Sequence, residues 1–264
     1  MINKKILFCC SLVMMLISCD VDDKIVDIPM KDGSGKIVIE GEITNEEGPY
    51  EIRVSRSVKV MSNEEIPVVT NAKVILSDNH GQTEELVYDP NDESYKTKNF
   101  TTAEGDTYTL SVTVDGKVYQ STSTMNKLVE IEKLEQEKDK LDNSTFVSVF
   151  FTDPAEKGNK YVLKGQKGEL GATQYNVYSD DQLNGGTIGY PLYGKFNLNK
   201  NDTVFVELQS VDTPVYNYFR VLSNLGLGDS GDIATPANPP SNISNGALGY
   251  FSAHSVSGDY IIIQ

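Results

Sequence analysis

Stretches of alternating apolar and polar residues recur along most of this chain, and each is closed by a turn signal. Residues 37–43 alternate before the Gly48-Pro49 turn, and residues 108–114 alternate before Asp115-Gly116, a dipeptide typical of tight hairpins. A period of two places every second side chain on the same face of a strand. With about seven or eight short strands and a turn every 8–12 residues, residues 36–127 are predicted to form a β-sandwich of immunoglobulin-like or transthyretin-like type.

The second half of the chain, residues 143–264, carries the same signal and is predicted to form a second β-sandwich-like domain. Its predicted strands are 146–151, 160–164, 174–178, 203–211 and 260–263. One inserted helix is predicted near 215–225, with Asp212 or Thr213 as its cap and Gly226 as its end. The apolar residues that recur there at helical spacing are Val215, Tyr218, Phe219, Leu222 and Leu225.

A charge-dense stretch, residues 128–142, separates the two predicted domains. Ile131 and Leu134 would share one face of a helix, whereas Val129 and Ile131 would share one face of a strand. The alternation with glutamates favours a strand that continues into a solvated, charged linker. Because its end, residues 135–142, has few apolar side chains to bury, we expect it to be the most protease-sensitive point between two stable halves.

The N-terminal residues 1–18 have the features of a secretory signal peptide. Two lysines precede an apolar run of twelve residues, which is shorter than the ~20 needed to span a bilayer. The run ends in Leu16-Ile17-Ser18-Cys19, the pattern that a lipoprotein signal peptidase requires, so Cys19 is predicted to carry the lipid anchor. An ordinary secretory signal with an incidental cysteine is the alternative. Residues 19–35, acidic and then Gly-rich, are predicted to form a flexible tether.

The composition argues against several classes of function. Residues 1–18 contain two lysines and no acid, so their removal leaves 21 Lys and Arg against 38 Asp and Glu, a net charge of −17. This charge argues against nucleic acid as a partner and against docking onto anionic lipid, which leaves the lipid anchor as the attachment to the membrane. Cys9 and Cys10 lie in the signal peptide and Cys19 is acylated, so no thiol remains for a disulfide, a zinc site or a nucleophile.

The motifs that could carry chemistry are weak. Gly228-Asp229-Ser230-Gly231 is like the nucleophile motif of trypsin-like proteases, but neither His80 nor His254 stands in the sequence context of such an enzyme. His254 is instead expected to be packed or hydrogen-bonded. Residues 89–93 alternate like the first ligands of a calcium loop, but Ser94 occupies the position of the required glycine, which favours a hairpin turn. We therefore predict a protein that is not an enzyme, with no catalytic residue, metal site or cofactor.

Tyrosine is the one compositional hint of a binding surface. More than half of the fourteen tyrosines lie in the second half of the chain. Tyrosine suits exposed contact surfaces because it adds area at little entropic cost, and it also suits buried sheet faces, which is the favoured use for most of them. A partner or ligand surface is predicted on the second domain, near the helix and the long loop 229–245. Its candidate residues are Tyr190, Tyr193, Tyr218, Asp229 and Asp232.

Three segments together indicate a family: 39–43 with Gly48-Pro49-Tyr50, then 150–154, and above all 241–253, SNISNGALGYFSA. The sequence resembles the Bacteroidetes lipoproteins that are built on an uncharacterised domain and encoded beside TonB-dependent outer-membrane receptors. The resemblance spans essentially the mature chain. It implies an outer-membrane location and partnership with a receptor barrel that imports a nutrient. The acidic residues just after Cys19 loosely fit the signal for display at the cell surface.

Within the most specific of these segments, the glycines are predicted to have a structural role. Gly246 and Gly249 would form a tight turn that presents Tyr250 and Phe251 to the core of the last sheet. The resemblance supplies no catalytic residue to carry over to this chain.

The predicted function is that of a non-enzymatic lipoprotein of the outer membrane, facing the cell exterior. It would capture a ligand for a TonB-dependent nutrient transporter, or form the lid of that transporter. A structural or adhesive surface module is the alternative, since two acidic sandwiches on a tether would serve there as well.

Overall fold

The computed structural model describes residues 34–59, 65–141, 143–169, 171–181, 184–192, 196–226 and 238–264. The predicted signal peptide, Cys19 and nearly all of the predicted tether lie outside the described residues, as do Tyr193, Asp229 and Asp232. Within the described ranges, no helix combines the length and the hydropathy that a membrane span requires.

Strands dominate the described residues, as the alternating sequence predicts. In the first half they are β1 (Ile37–Thr44), β2 (Glu51–Arg56), β3 (Lys73–Asp78), β4 (Thr83–Glu85), β5 (Val87–Asp89), β6 (Ser94–Lys96), β7 (Thr107–Val114) and β8 (Lys117–Thr124). In the second half they are β9 (Lys133–Lys138), β10 (Thr145–Thr152), β11 (Lys160–Lys167), β12 (Thr173–Ser179), β13 (Thr187–Leu192), β14 (Thr203–Ser210) and β15 (Leu248–Ile262). One α-helix, α1 (Thr213–Gly226), and a 3-10 turn at Ser244–Gly246 complete the described elements. The predicted mainly β fold with one helix is confirmed.

The described strands form three sheets. The largest has the order β12-β11-β14-β15-β1-β2-β6-β5, the second β4-β3-β7-β8 and the third β13-β10-β9. β1 and β15 pair in parallel, whereas β1 with β2 and β14 with β15 pair antiparallel. Asp115 and Gly116 join β7 to β8 with φ values of 50° and 78°, which is the hairpin that this dipeptide predicts.

Two buried cores lie on one face of the eight-stranded sheet, which we call its inner face. The first core packs this sheet on the four-stranded sheet, through residues that include Ile39, Ile52, Phe251, Leu76 and Leu110. The second packs it on the three-stranded sheet, through residues that include Leu163, Val206, Val149 and Phe151. Each half of the chain therefore has the sheet-on-sheet packing of a β-sandwich.

The stretch predicted as a linker, 128–142, contains a strand. Residues 133–138 form β9, an edge strand that pairs with β10. Charged residues are common on edge strands because they oppose pairing with another chain, and this explains the charge density of a stretch that is not a linker. The described residues belong to one compact unit, and the long β15 contributes Phe251 to the first core and Ile261 to the second. One sheet is thus shared by the two cores, across the predicted boundary between two domains.

The helix lies on the opposite, outer face of the eight-stranded sheet. The backbone N–H of Val215 donates to Asp212 Oδ1 at 3.1 Å, so Asp212, one of the two caps that the sequence predicts, caps the helix. Val215 and Phe219 are buried in a third cluster with Val162 of β11. The apolar face of α1 is therefore used for packing on the sheet.

The segment 241–253 begins β15 and does not form one tight turn. Gly246 (φ 74°) lies in the 3-10 turn, but Gly249 (φ 87°) lies within the strand itself. Phe251 is buried in the first core as predicted, whereas its neighbour Tyr250 points to the outer face and packs beside α1. The prediction that both rings enter one core is wrong, because successive side chains of a strand point to opposite faces.

Candidate ligand-binding groove

The outer face of the eight-stranded sheet is only partly covered. The helix α1 contacts β11, β12 and β15 on this face. Beside the helix lie two open depressions of about 470 and about 560 Å³. Both are lined by Glu42, Thr44 and Lys164, so they are two parts of one concave surface, which we call the outer-face groove.

The register of the sheet decides which side chains line this groove. Ile37, Ile39 and Ile43 of β1 are buried in the first core, so the alternate side chains Glu40 and Glu42 face outwards. The neighbouring strands continue the same face in register. The pairs on this face are Glu40 with Tyr250, Glu42 with Ser252, Thr44 with His254, Glu207 with Gly258 and Lys164 with Glu207.

Tyr250 links the groove to the helix. Its hydroxyl donates to Glu42 Oε1 at 2.5 Å, and its ring lies against Tyr218 and Phe219 of α1, with centroid distances of 4.7 and 5.0 Å. Burial raises the pKa of Tyr250 well above its ordinary value, and the neighbouring Glu42 carboxylate raises the pKa further. The phenol therefore stays protonated and fixes the position of the Glu42 carboxylate.

His254 lies at the floor of the groove and is only 1% exposed. Its Nδ1 is 2.8 Å from the hydroxyl of Ser252, and among the described residues Nε2 has no hydrogen-bond partner. Burial lowers the pKa of His254, although the carboxylates of Glu42 and Glu207 act in the opposite direction. The ring is therefore neutral at pH 7. This confirms the expectation of a packed, hydrogen-bonded histidine.

Carboxylates dominate the charged lining of the groove. They are Glu40, Glu42, Glu46, Glu51, Glu207 and Asp259, against the cations Lys164 and Arg53. Lys164 Nζ lies 3.1 Å from each carboxylate oxygen of Glu207. Among the described residues, no ion pair forms at Glu40, Glu46 or Asp259.

Two exposed aromatic rings form one end of the groove. Phe205 and Tyr260 are 40% and 59% exposed, and their ring centroids are 6.1 Å apart. Gly258, two residues before Tyr260 on β15, leaves space beside them. A Cβ built on Gly258 would have Val206 O at 3.9 Å as its nearest contact, which is an ordinary van der Waals distance.

The two described tyrosines of the predicted partner surface are packed residues. Tyr190 is half-buried and stacks on Phe151 with a centroid distance of 5.0 Å. Tyr218 is 9% exposed, and burial raises its pKa to about 12. Both rings therefore serve the cores rather than an open surface, and the other three residues of that prediction, Tyr193, Asp229 and Asp232, lie outside the described residues.

The other acidic motifs are local structure. Asp89 Oδ1 accepts from the backbone N–H of Asn91 at 2.9 Å, which is the turn predicted there in preference to a calcium loop. The buried Asp153 accepts from Tyr161 OH at 2.5 Å, and the buried Asp180 accepts from Gly158 N at 2.7 Å. Within the described part of the chain, no three His, Cys, Asp or Glu side chains are placed to hold a metal ion.

Sheet-on-sheet packing with a groove on the outer face defines a β-sandwich protein with a candidate binding surface. The chain belongs to the family described as "Domain of unknown function (DUF4249)", whose model matches residues 23–258. Among solved structures, a segment of two fibronectin type-III domains from chicken tenascin is similar, with a TM-score of 0.23 and 13% identity. That similarity covers 69% of this chain and 92% of the tenascin chain. The comparison with curated proteins gives no match.

Proposed function

We propose that this protein is a non-enzymatic, lipid-anchored protein of the outer membrane that captures a ligand for a TonB-dependent receptor. Cys19 would hold it to the membrane and the outer-face groove would hold the ligand. The groove supports the binding function, and the N-terminal sequence supports the lipid anchor.

The observation that carries the binding function is the groove itself. It joins exposed aromatic rings, carboxylates without ion pairs and a buried histidine on one open sheet face. A few convergent polar groups beside aromatic surface are typical of ligand sites. The hydrogen bond from Tyr250 to Glu42 and the one between Ser252 and His254 hold two of these groups in fixed orientations before any ligand arrives.

The anchoring is tested by Cys19→Ala in the native host. We expect the wild type in the membrane fraction with palmitate incorporated, and the variant without label and released from the membrane. Incorporation of labelled palmitate into the variant would show that another residue carries the lipid.

The partner is tested by affinity purification from detergent-solubilised outer membranes. We expect a TonB-dependent receptor to co-purify with the wild type, and less receptor to co-purify with a chain that lacks residues 229–240, the predicted contact loop. Equal recovery with both chains would remove this loop from the interface. Absence of any receptor from the wild-type sample would contradict the partnership and favour an adhesive module.

A further inference from the structure

The charge of the groove is one-sided. Glu40 and Glu46 have no ion pair among the described residues, whereas Lys164 is already bound to Glu207. Arg53 is the one other cation of the lining, and it likewise forms no ion pair within the described part of the chain. Carboxylates gathered in a cleft with low-dielectric walls produce a negative potential that attracts cations from solution.

A neutral imidazole lies at the floor of this negative cleft. Ser252 holds the His254 ring through Nδ1, which leaves Nε2 as the ring nitrogen without a described partner. When the proton of the neutral ring is on Nδ1, Nε2 accepts a hydrogen bond. Since the side chain is 1% exposed, only a ligand group that enters the floor of the groove can reach Nε2.

The aromatic end of the groove adds a second preference for positive charge. The faces of Phe205 and Tyr260 are partly exposed, and aromatic faces attract ammonium and guanidinium groups. Gly258 lies opposite Glu207 in the β14–β15 register, so the space above this glycine adjoins both a carboxylate and an aromatic ring.

From these three features together, we infer that the outer-face groove binds an organic cation bearing N–H donors, between the Phe205–Tyr260 rings and the carboxylates of the groove lining, with His254 at its floor. The inference rests on the proposed capture function and names the chemical class of the ligand. A neutral, hydroxyl-rich ligand would also find aromatic rings and acceptors here, but it would not use the excess of carboxylates.

The test uses two probes of equal shape and different charge. N-acetylargininamide carries a guanidinium group, and N-acetylcitrullinamide carries a neutral urea in its place. The full-length protein is purified from its native host. The affinities of the two probes for it are measured by ligand-observed NMR titration. We expect the arginine probe to bind about tenfold more tightly than the citrulline probe, with an affinity that falls as salt is added.

Substitutions in the groove locate the binding. Gly258→Leu fills the space beside the aromatic rings without a backbone clash, so it should abolish binding. Gly186→Leu is the matched control, because a Cβ at Gly186 meets nothing within 4 Å and this residue lies outside the groove. Tyr260→Phe should bind as the wild type does, whereas Tyr260→Leu should bind about two- to fivefold more weakly, since leucine keeps apolar area but has no aromatic face.

Two results would overturn the cation inference while leaving the capture function intact: equal affinity for the two probes, or tighter binding of the neutral one. Failure of the arginine probe to bind, or unchanged binding by folded Gly258→Leu, would overturn the groove as a cation site. The receptor purification described above is independent of these titrations, so a failure of the proposed partnership is recognised separately.

Discussion

At the scale of single residues, His254 shows how burial decides chemistry. The imidazole is surrounded by carboxylates, which favour its protonation, yet its burial lowers the pKa. The fold therefore keeps the ring neutral, whereas an exposed histidine beside the same carboxylates would take up a proton more readily. The cost of keeping it neutral makes the stability of the protein depend on pH.

The direction of this dependence follows from proton binding. Below the unfolded pKa of about 6.5, the unfolded chain takes up a proton at residue 254 that the folded chain does not. The contribution of the neutral His254 to the free energy of unfolding is therefore fully present above about pH 6.5. It is lost as the pH falls toward the pKa of His254 in the folded state, which is lower. We expect the free energy of unfolding, measured with urea, to decrease between about pH 7.5 and about pH 5.5, above the main titration of carboxylates. His254→Asn, which retains a polar side chain next to Ser252, should show a smaller decrease, and an unchanged decrease would contradict the assignment to His254.

Gly249 is the residue on which the pairing of β1 with β15 depends. A Cβ at this position would lie 2.0 Å from the carbonyl oxygen of Ile39, and φ is 87°. We expect Gly249→Ala to lower the free energy of unfolding by more than about 2 kcal/mol, because it combines backbone strain with a clash against main chain. Gly81→Ala separates the two causes, since φ is 96° there but no atom lies within 4 Å of the added Cβ. Equal losses in the two variants in urea unfolding would show that strain alone matters.

At the scale of elements, Asp212 connects the helix with the first half of the chain. Its Oδ1 caps α1, and its Oδ2 accepts from Ser123 Oγ at 2.8 Å in β8. Asp212→Ala removes both interactions and should lower the free energy of unfolding by about 1–2 kcal/mol. Asp212→Asn keeps a capping oxygen and should lose less. A urea midpoint of Asp212→Ala equal to that of the wild type would contradict this role.

Local sequence patterns predicted most of the strands and the helix, and there is a physical reason for each strand that was not predicted. The helix was predicted with its cap and its spacing, because both signals lie within fifteen residues of sequence. β13 and most of β15 were not predicted as strands. β13 contains Gly189 and Pro191, which weaken strand propensity, and β15 alternates small and polar residues such as Ser252 and Ser255 at buried positions. The pairing of β13 with β10, and of β15 with both β14 and β1, overrides that weak local preference.

At the scale of the whole molecule, the groove could not be predicted because its parts are brought together only by sheet order. Glu42 and His254 are far apart in sequence, yet β1 and β15 are neighbours in parallel register. Alternation in β1 does predict that Glu40 and Glu42 share a face, but nothing in that pattern identifies β15 as the neighbouring strand. The packing of Tyr190 and Tyr218 could not be predicted for a related reason, since residue type alone does not distinguish packing from exposure.

The same sheet order decides whether the chain can be divided. The charge of residues 135–142 suggests a cleavable linker, but residues 133–138 are hydrogen-bonded to β10. A fragment comprising residues 34–127 would lose Phe251 and Ala253 from its core and would expose the edge of β1 that β15 covers.

We therefore expect limited proteolysis of the full chain to spare residues 133–138, and the isolated 34–127 fragment to show no cooperative unfolding transition in urea. The intact chain, unfolded under the same conditions, is the control. Cleavage within β9 into two protease-resistant halves, or a cooperative transition for the fragment alone, would show that the first core is complete without β15. The chain would then consist of two domains that fold independently, although they share one sheet.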